Sequence, residues 1–290
     1  MIEPQSSPHP APPSASAPAT SPASSPSTAP STAPASPLPF PHERIAVVAI
    51  TRHGIALAGR ICAVLPGARL FVPEKFRAEA EAQAPGLAAC YSGKVGDQIP
   101  GLFAQFDGIC AIVSLGAMVR LMAPHLKDKE LDPGVVVLDE AGRFVIPVLS
   151  GHLGGANALA GCLARALGAL PVLTTASDSR QTLAVDLLGR ELGWTFTASK
   201  AVIIRTSAAV VNDEPVALVQ EAGSRDWWSN HANGRGGPLP ANIECLAMDE
   251  VVPARHGAVL WITHRGPQDL PGALLEEIAD RLVVYRPTEG

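Results

Sequence analysis

No apolar run in the 290 residues reaches the roughly 18 needed to cross a bilayer, and no Lys or Arg precedes Glu43. A positively charged n-region ahead of an apolar segment is therefore missing as well. These absences predict a protein that is neither inserted in a membrane nor exported, and that works in the cytoplasm. Charge is sparse: Asp, Glu, Lys and Arg make up 17% of the chain, the net charge is −5, and no basic block or aromatic-interleaved Lys/Arg stripe occurs. Nucleic acid is thereby excluded as an expected partner. The five cysteines, at 62, 90, 110, 162 and 245, are odd in number, irregularly spaced and without a CxxC pair. Neither a disulfide framework nor a Cys-based zinc site is expected, and a reducing compartment fits. No protein-bound metal or cofactor is expected either.

What the chain has in excess lies at its start. Pro, Ser, Ala and Thr supply 34 of the first 41 residues, a composition that buries too little apolar surface to offset its ordering entropy, so residues 1–42 are expected to be a disordered tail. From Arg44 onward, short β-branched runs alternate with Ala/Leu-rich stretches of helical period, the pattern of an α/β fold. Strands are expected at 45–50, 68–72, 108–114, 134–139, 144–150 and 171–175, and helices at 54–65, 97–106, 116–124, 155–168 and 179–192. Several strands are apolar at every position, as parallel strands covered on both faces are. The expected architecture is a mostly parallel sheet with flanking helices over 43–196, then a smaller α/β or α+β domain over 197–286 and a C-terminal tail at 287–290. The second domain is read from strands at 215–221, 243–248 and 258–264 and a helix at 271–282. The Gly/Asn-rich stretch from Trp227 to Pro240 reads as a surface loop.

Chemistry is expected first in LSGHLGGAN, Leu149 to Asn157, at a strand end that opens the best-supported helix. Gly151, Gly154 and Gly155 permit close approach of backbone to ligand, and free N–H groups of the first helical turn favour an anion. The spacing is neither a Walker A loop nor a dinucleotide fingerprint. His152 could serve as general base, with Ser150 and Asn157 either contacting the ligand or satisfying the turn. A second stretch, Ser114 to Pro133, offers Gly116 at a helix start, Arg120 as a bidentate carboxylate partner, and the charged segment His125, Lys127, Asp128 and Lys129. A third, Thr174 to Asp186, offers Thr174, Thr175 and Asp178, the last in a capping-box pattern with Gln181. These three strand ends are expected to converge on one edge of the sheet. Asp139 and Glu140 read as a hairpin turn, and His53, in the turn after the first strand, is a weaker candidate.

The blocks VRLMAPHL, DKELDP, LSGHLGGAN and TTASD, in this order and spacing over about residues 108–192, resemble the N-terminal part of the cobalt-precorrin-5A hydrolase (CbiG) family of anaerobic cobalamin biosynthesis. Residues 197–286 are similar to the family's central domain. The resemblance implies a hydrolase that opens the δ-lactone of a cobalt-containing tetrapyrrole and releases acetaldehyde, the cobalt arriving with the substrate. It carries no assignment of individual roles. Our reading makes His152 the base, the Gly154 and Gly155 backbone N–H groups oxyanion donors, and Asp178 or Ser150 orienting groups. Longer family members continue past LVVYRPTEG into a C-terminal domain, so a separate protein carrying that domain, or another corrin-pathway enzyme, is an expected partner. The alternative is a non-catalytic carrier of corrinoid intermediates.

Overall fold

The computed structural model describes residues 43–128, 131–228 and 237–288. The N-terminal tail, Lys129, and most of the loop expected between Trp227 and Pro240, His231 included, lie outside the described residues. Seven strands form the first sheet: β1 (Ile45–Ala49), β2 (Arg69–Pro73), β3 (Ala88–Tyr91), β4 (Gly108–Ile112), β5 (Gly134–Leu138), β6 (Phe144–Leu149) and β7 (Leu170–Pro171). Their order is β3-β2-β1-β4-β5-β6-β7. Around them lie α1 (Arg52–Val64), α2 (Arg77–Gln83), α3 (Ile99–Gln105), α4 (Leu115–Met122), α5 (Ala156–Leu167) and the short α6 (Ala176–Ser179).

The reason β1 is apolar throughout is visible in its packing. Ile45, Val47 and Ala49 belong to a core shared with α1, α2 and α5, whereas Ala46 and Val48 belong to one shared with α3 and α4. Both faces of the strand are covered, so alternation with polar residues has no place. Helix α5 keeps the expected stripe: Leu159 and Leu163 are fully buried, and Gly168 ends the helix in the left-handed region at φ 69°. Truncating either leucine to alanine costs about 2–5 kcal/mol.

All pairings in this sheet are parallel except one. Strands β5 and β6 form an antiparallel hairpin, Val137 opposite Ile146, with a register slip that leaves Val148 as the extra residue before Ser150. The turn between them is the Asp139–Arg143 segment expected from sequence, its Asp139 carboxylate accepting from the Arg143 and Phe144 N–H groups. Because β6 is reversed and β7 follows it in parallel, the ends of β6 and β7 emerge at the edge where β4 and β5 begin. The end of β4, carrying Ser114 and Gly116, emerges at the opposite edge. The expected convergence of three strand ends therefore holds for two.

The second sheet has the order β10-β9-β11-β12-β8, built from β8 (Thr195–Thr197), β9 (Val216–Gln220), β10 (Ile243–Cys245), β11 (Ala258–Ile262) and β12 (Leu282–Arg286), with α7 (Lys200–Val211) and α8 (Gly272–Ile278). Only β8 runs antiparallel, against β12, so this unit is α/β. Its strand β12 comes from a stretch read from sequence only as the chain's ending, and α7 was hidden because its apolar residues lack one dominant face.

Two expectations fail between the sheets. The strand over 171–175 stops at Pro171, and the helix over 179–192 is replaced by α6 and two 3-10 turns, Val185–Leu187 and Arg190–Leu192. Left-handed backbone at Gln181, Gly189 and Gly193 interrupts any helix there. At Gly189 a Cβ would fall 2.1 Å from the Trp194 ring, so no other residue lets that tryptophan close over the turn. Leu183, Val185, Leu188 and Trp194 join the core of the second sheet. The seam between the two packing units thus lies nearer Gln181 than the 196/197 boundary read from sequence.

Candidate active site

The loop from Ser150 to Gly155 is shaped by local sterics. Ser150 takes a left-handed φ of 53°, its carbonyl accepts from the Ala156 N–H at 3.2 Å, and its Oγ is buried with no hydrogen-bond partner among the described residues. A Cβ on Gly154 would lie 2.2 Å from Ser150 Cβ, so the turn closes only over glycine. The N–H groups expected to bind an anion are largely taken: Gly155 donates to His152 O at 2.9 Å and Asn157 to Gly151 O at 2.9 Å. Gly155 is therefore excluded as an oxyanion donor, and Ser150 serves the turn without touching His152.

His152 is the centre of the cluster. Its Nε2 lies 3.0 Å from Ser177 Oγ and 3.5 Å from Asp178 Oδ2, and its Nδ1 lies 3.4 Å from Asp186 Oδ1. The side chain of Asn157 donates to Asp178 Oδ2 at 2.7 Å and to Thr175 Oγ1 at 3.0 Å, and the Thr175 hydroxyl donates to the same carboxylate oxygen. Asp178 is thus an anchored acceptor at the start of a very short helix whose N-cap is Thr175, which replaces the expected capping box. Thr174 is exposed. Arg190, drawn below its ordinary pKa by burial and raised by Asp186, donates to the carbonyls of Leu153 and His152. It pins the loop from behind.

Hydrogen bonding to Asp178, then to Asp186, outweighs burial and lifts the His152 pKa to about 9. The ring is an imidazolium at neutral pH, so the resting group is a proton donor and not the base read from sequence. Ser177, His152 and Asp186 share the connectivity of a nucleophile-base-acid triad. A ring already protonated between two carboxylates cannot take the serine's proton, however, and Ser177 is only 5% exposed. Its hydroxyl accepts from the ring. The carboxylates flank opposite nitrogens of the imidazole, and among the described residues no group of three or more His, Cys, Asp or Glu side chains is placed to hold a metal ion.

His152, Asn157 and Asp178 line one end of a cavity of about 350 Å³. Its floor is the face of α5 formed by Ala158 and Gly161, and its far end is Arg165, about 12 Å along the helix at 1.5 Å per residue. No ion pair engages the Arg165 guanidinium among the described residues. Gly151 sits at the same end as His152, where a Cβ would strike Asn157 Oδ1 at 2.7 Å.

Gly116 and Arg120 are elsewhere. The exposed Arg120 folds back onto the Gly116 carbonyl of its own helix at 3.1 Å, and His125 packs near Phe103, so neither side chain reaches His152. Sequence reasoning missed Ser177, Asp186 and Arg190. The signal for Asp186 was a single acid inside the otherwise apolar run Leu183 to Leu188, a placement that demands a partner.

Two family models match the chain in succession, cobalamin synthesis G N-terminal over residues 97–178 and cobalamin biosynthesis central region over 183–287. The first ends on Asp178 and the second includes Asp186, so together they contain the whole cluster. The chain belongs to the CbiG family. It is 42% identical to the cobalt-precorrin-5A hydrolase of Priestia megaterium over 83% of this chain and 62% of that one. It is 37% identical to the protein of the same name from Salmonella typhimurium, over 64% of this chain and 48% of that one. The chain therefore spans about three fifths and about half of the length of these curated relatives. A solved structure of a putative cobalamin biosynthesis protein G homologue from Sulfolobus solfataricus aligns with a TM-score of 0.45 at 20% identity, over 88% of this chain and 63% of that one. No helix among the described residues of this CbiG family member is long and apolar enough to cross a membrane.

Proposed function

We propose that this chain performs the hydrolysis for which its relatives are named, opening the lactone of cobalt-precorrin-5A with release of acetaldehyde to give cobalt-precorrin-5B. The observation that carries the reading is the protonated His152 held beside an anchored carboxylate at one end of a cleft that has a cation at the other. A tetrapyrrole rich in acetate and propionate side chains offers a carboxylate to Arg165, while the lactone meets the His152 end. The cobalt belongs to the substrate, and no cofactor or resident metal of the protein is invoked.

Lactone opening needs water to attack the carbonyl and a proton for the departing alkoxide. Asp178, fixed by Asn157 and Thr175, receives the proton of the attacking water. His152 gives its own proton to the ring oxygen as the C–O bond breaks, and Asp178 lies near enough, at 3.5 Å, to restore it. The sum is one water added and no net change of charge on the protein. Release of acetaldehyde then requires the new hydroxyl to lose a proton as the carbon–carbon bond to the macrocycle breaks. Asp178 accepts that proton, the electron pair of the broken bond passes to the macrocycle carbon, and the proton is then delivered to the macrocycle, so acetaldehyde leaves with no net change of charge on the protein.

The test is incubation of the purified chain with cobalt-precorrin-5A, following acetaldehyde and the mass of the corrinoid. Acetaldehyde in stoichiometric amount with the ring-opened product is expected. A corrinoid that binds and is recovered unchanged would overturn the hydrolase reading in favour of a carrier.

A further inference from the structure

Asp186 reaches His152 from a different packing unit than the one that carries the histidine. His152 stands on the loop between β6 and α5 of the first sheet. The segment around Asp186 instead buries Leu183, Val185 and Leu188 in the core of the second sheet, alongside Ala209 and Val210 of α7 and Tyr285 of β12. The fully buried Tyr285 hydroxyl donates to the Val185 carbonyl at 2.8 Å, one residue before Asp186. Next along the chain, Arg190 grips the carbonyls of Leu153 and His152. The carboxylate is thus held from behind by one sheet and aimed at a ring held by the other.

We infer that Asp186 is a positioning residue for His152 and that the second sheet, through Tyr285, takes part in the active site by presenting it. The imidazole would otherwise be held on one side only, by Ser177 and Asp178 at Nε2, and its Nδ1 would have no acceptor to fix the ring plane. With Asp186 in place both ring nitrogens are committed, so the ring keeps its orientation and its proton until substrate arrives. The charged and titratable groups around the ring are Asp178 from α6, Asp186 and Arg190 from the turns after it, Arg165 across the cleft on α5, and Tyr285 behind Asp186 on β12. Of these groups the two aspartates contact the imidazole itself, alongside the Ser177 hydroxyl. A consequence is that changes in the second sheet reach His152 through Asp186 at the ring and through Arg190 at its loop.

The inference rests on reading His152 as the acid of the cleft, but its test needs no substrate and so fails or succeeds apart from the hydrolase assignment. The chain is labelled with 15N-histidine, the His152 ring signals are identified by their loss in His152→Gln, and the imidazole is titrated from pH 5 to 10. In Asp186→Asn the His152 pKa is expected to fall by at least about one pH unit, a tenfold rise in neutral imidazole at a given pH. In Tyr285→Phe a smaller fall in the same direction is expected. A merely structural aspartate would lower the melting temperature and leave the titration in place. A His152 pKa unchanged in folded Asp186→Asn overturns the inference. Should that variant not fold, an unchanged pKa in Tyr285→Phe overturns the presenting role of the second sheet by itself.

Discussion

Removing the imidazole makes the chain's stability respond to pH in a way that can be worked out in advance. The His152 side chain is 23% exposed, so solvent screens its two carboxylate partners only in part. Its pKa stands at about 9 in the folded chain against 6.5 as the ordinary value. The folded state therefore binds the proton more tightly than the unfolded one, and the gain is fully present below pH 6.5 and lost as pH rises through 9. At 1.36 kcal/mol for each pH unit between the two values, the gain is on the order of 3 kcal/mol. The comparison is wild type with His152→Gln in urea unfolding at one-unit steps from pH 6 to 10. In the variant the histidine contribution to the pH dependence is gone. The difference in unfolding free energy between the two proteins should shrink by about 3 kcal/mol from pH 6 to pH 10, with its steepest slope between 7 and 9. A difference that stays constant across the range would show that the ring is not held protonated, and the proton-donor role would go with it.

Other outcomes follow from the same geometry. Gly154→Ala forces a methyl into Ser150 and should cost about 2 kcal/mol of stability, read as a fall in melting temperature together with lost turnover; unchanged values would mean that the loop relaxes freely. Arg165→Gln should raise KM for the cobalt-corrinoid by roughly tenfold with kcat nearly constant, as expected when a ground-state carboxylate contact is removed. A fall in kcat alone would place Arg165 in the chemistry instead. Asp178→Asn keeps the contact with Asn157 feasible but removes the acceptor for the water proton, so kcat should drop by about a hundredfold or more.

The α/β class was legible because β1, β4 and β5 are apolar at every position and α5 carries its stripe between two recognisable ends. The LSGHLGGAN loop was legible as a site because a glycine-rich turn joins a strand to that helix. Strand direction was not. A turn as short as Asp139 to Arg143 can only return the chain as a hairpin, since a parallel crossover needs a dozen or more residues, but it identified the hairpin without showing which candidate loops it would separate. The role of His152 was also out of reach, because its proton is set by Asp178 and Asp186, residues 26 and 34 positions away. Asp186 in particular is placed by burial of its apolar neighbours in a second core, a tertiary fact with no local pattern.

The reversed hairpin divides the molecule in a way that matters for taking it apart. Everything in the cluster, from His152 through Asn157, Ser177, Asp178 and Asp186 to Arg190, is encoded after the turn at Asp139–Arg143, and that turn sits on the rim away from His152. The five strands before it bear on the cluster chiefly as a surface for β6 and α5 to lie against. Two polypeptides divided within the turn would each keep whole secondary elements, and among the described residues their only shared backbone pairing in the sheet would be the β5–β6 ladder. Fragment complementation at this point would separate the half that supplies a scaffold from the half that holds the reacting groups.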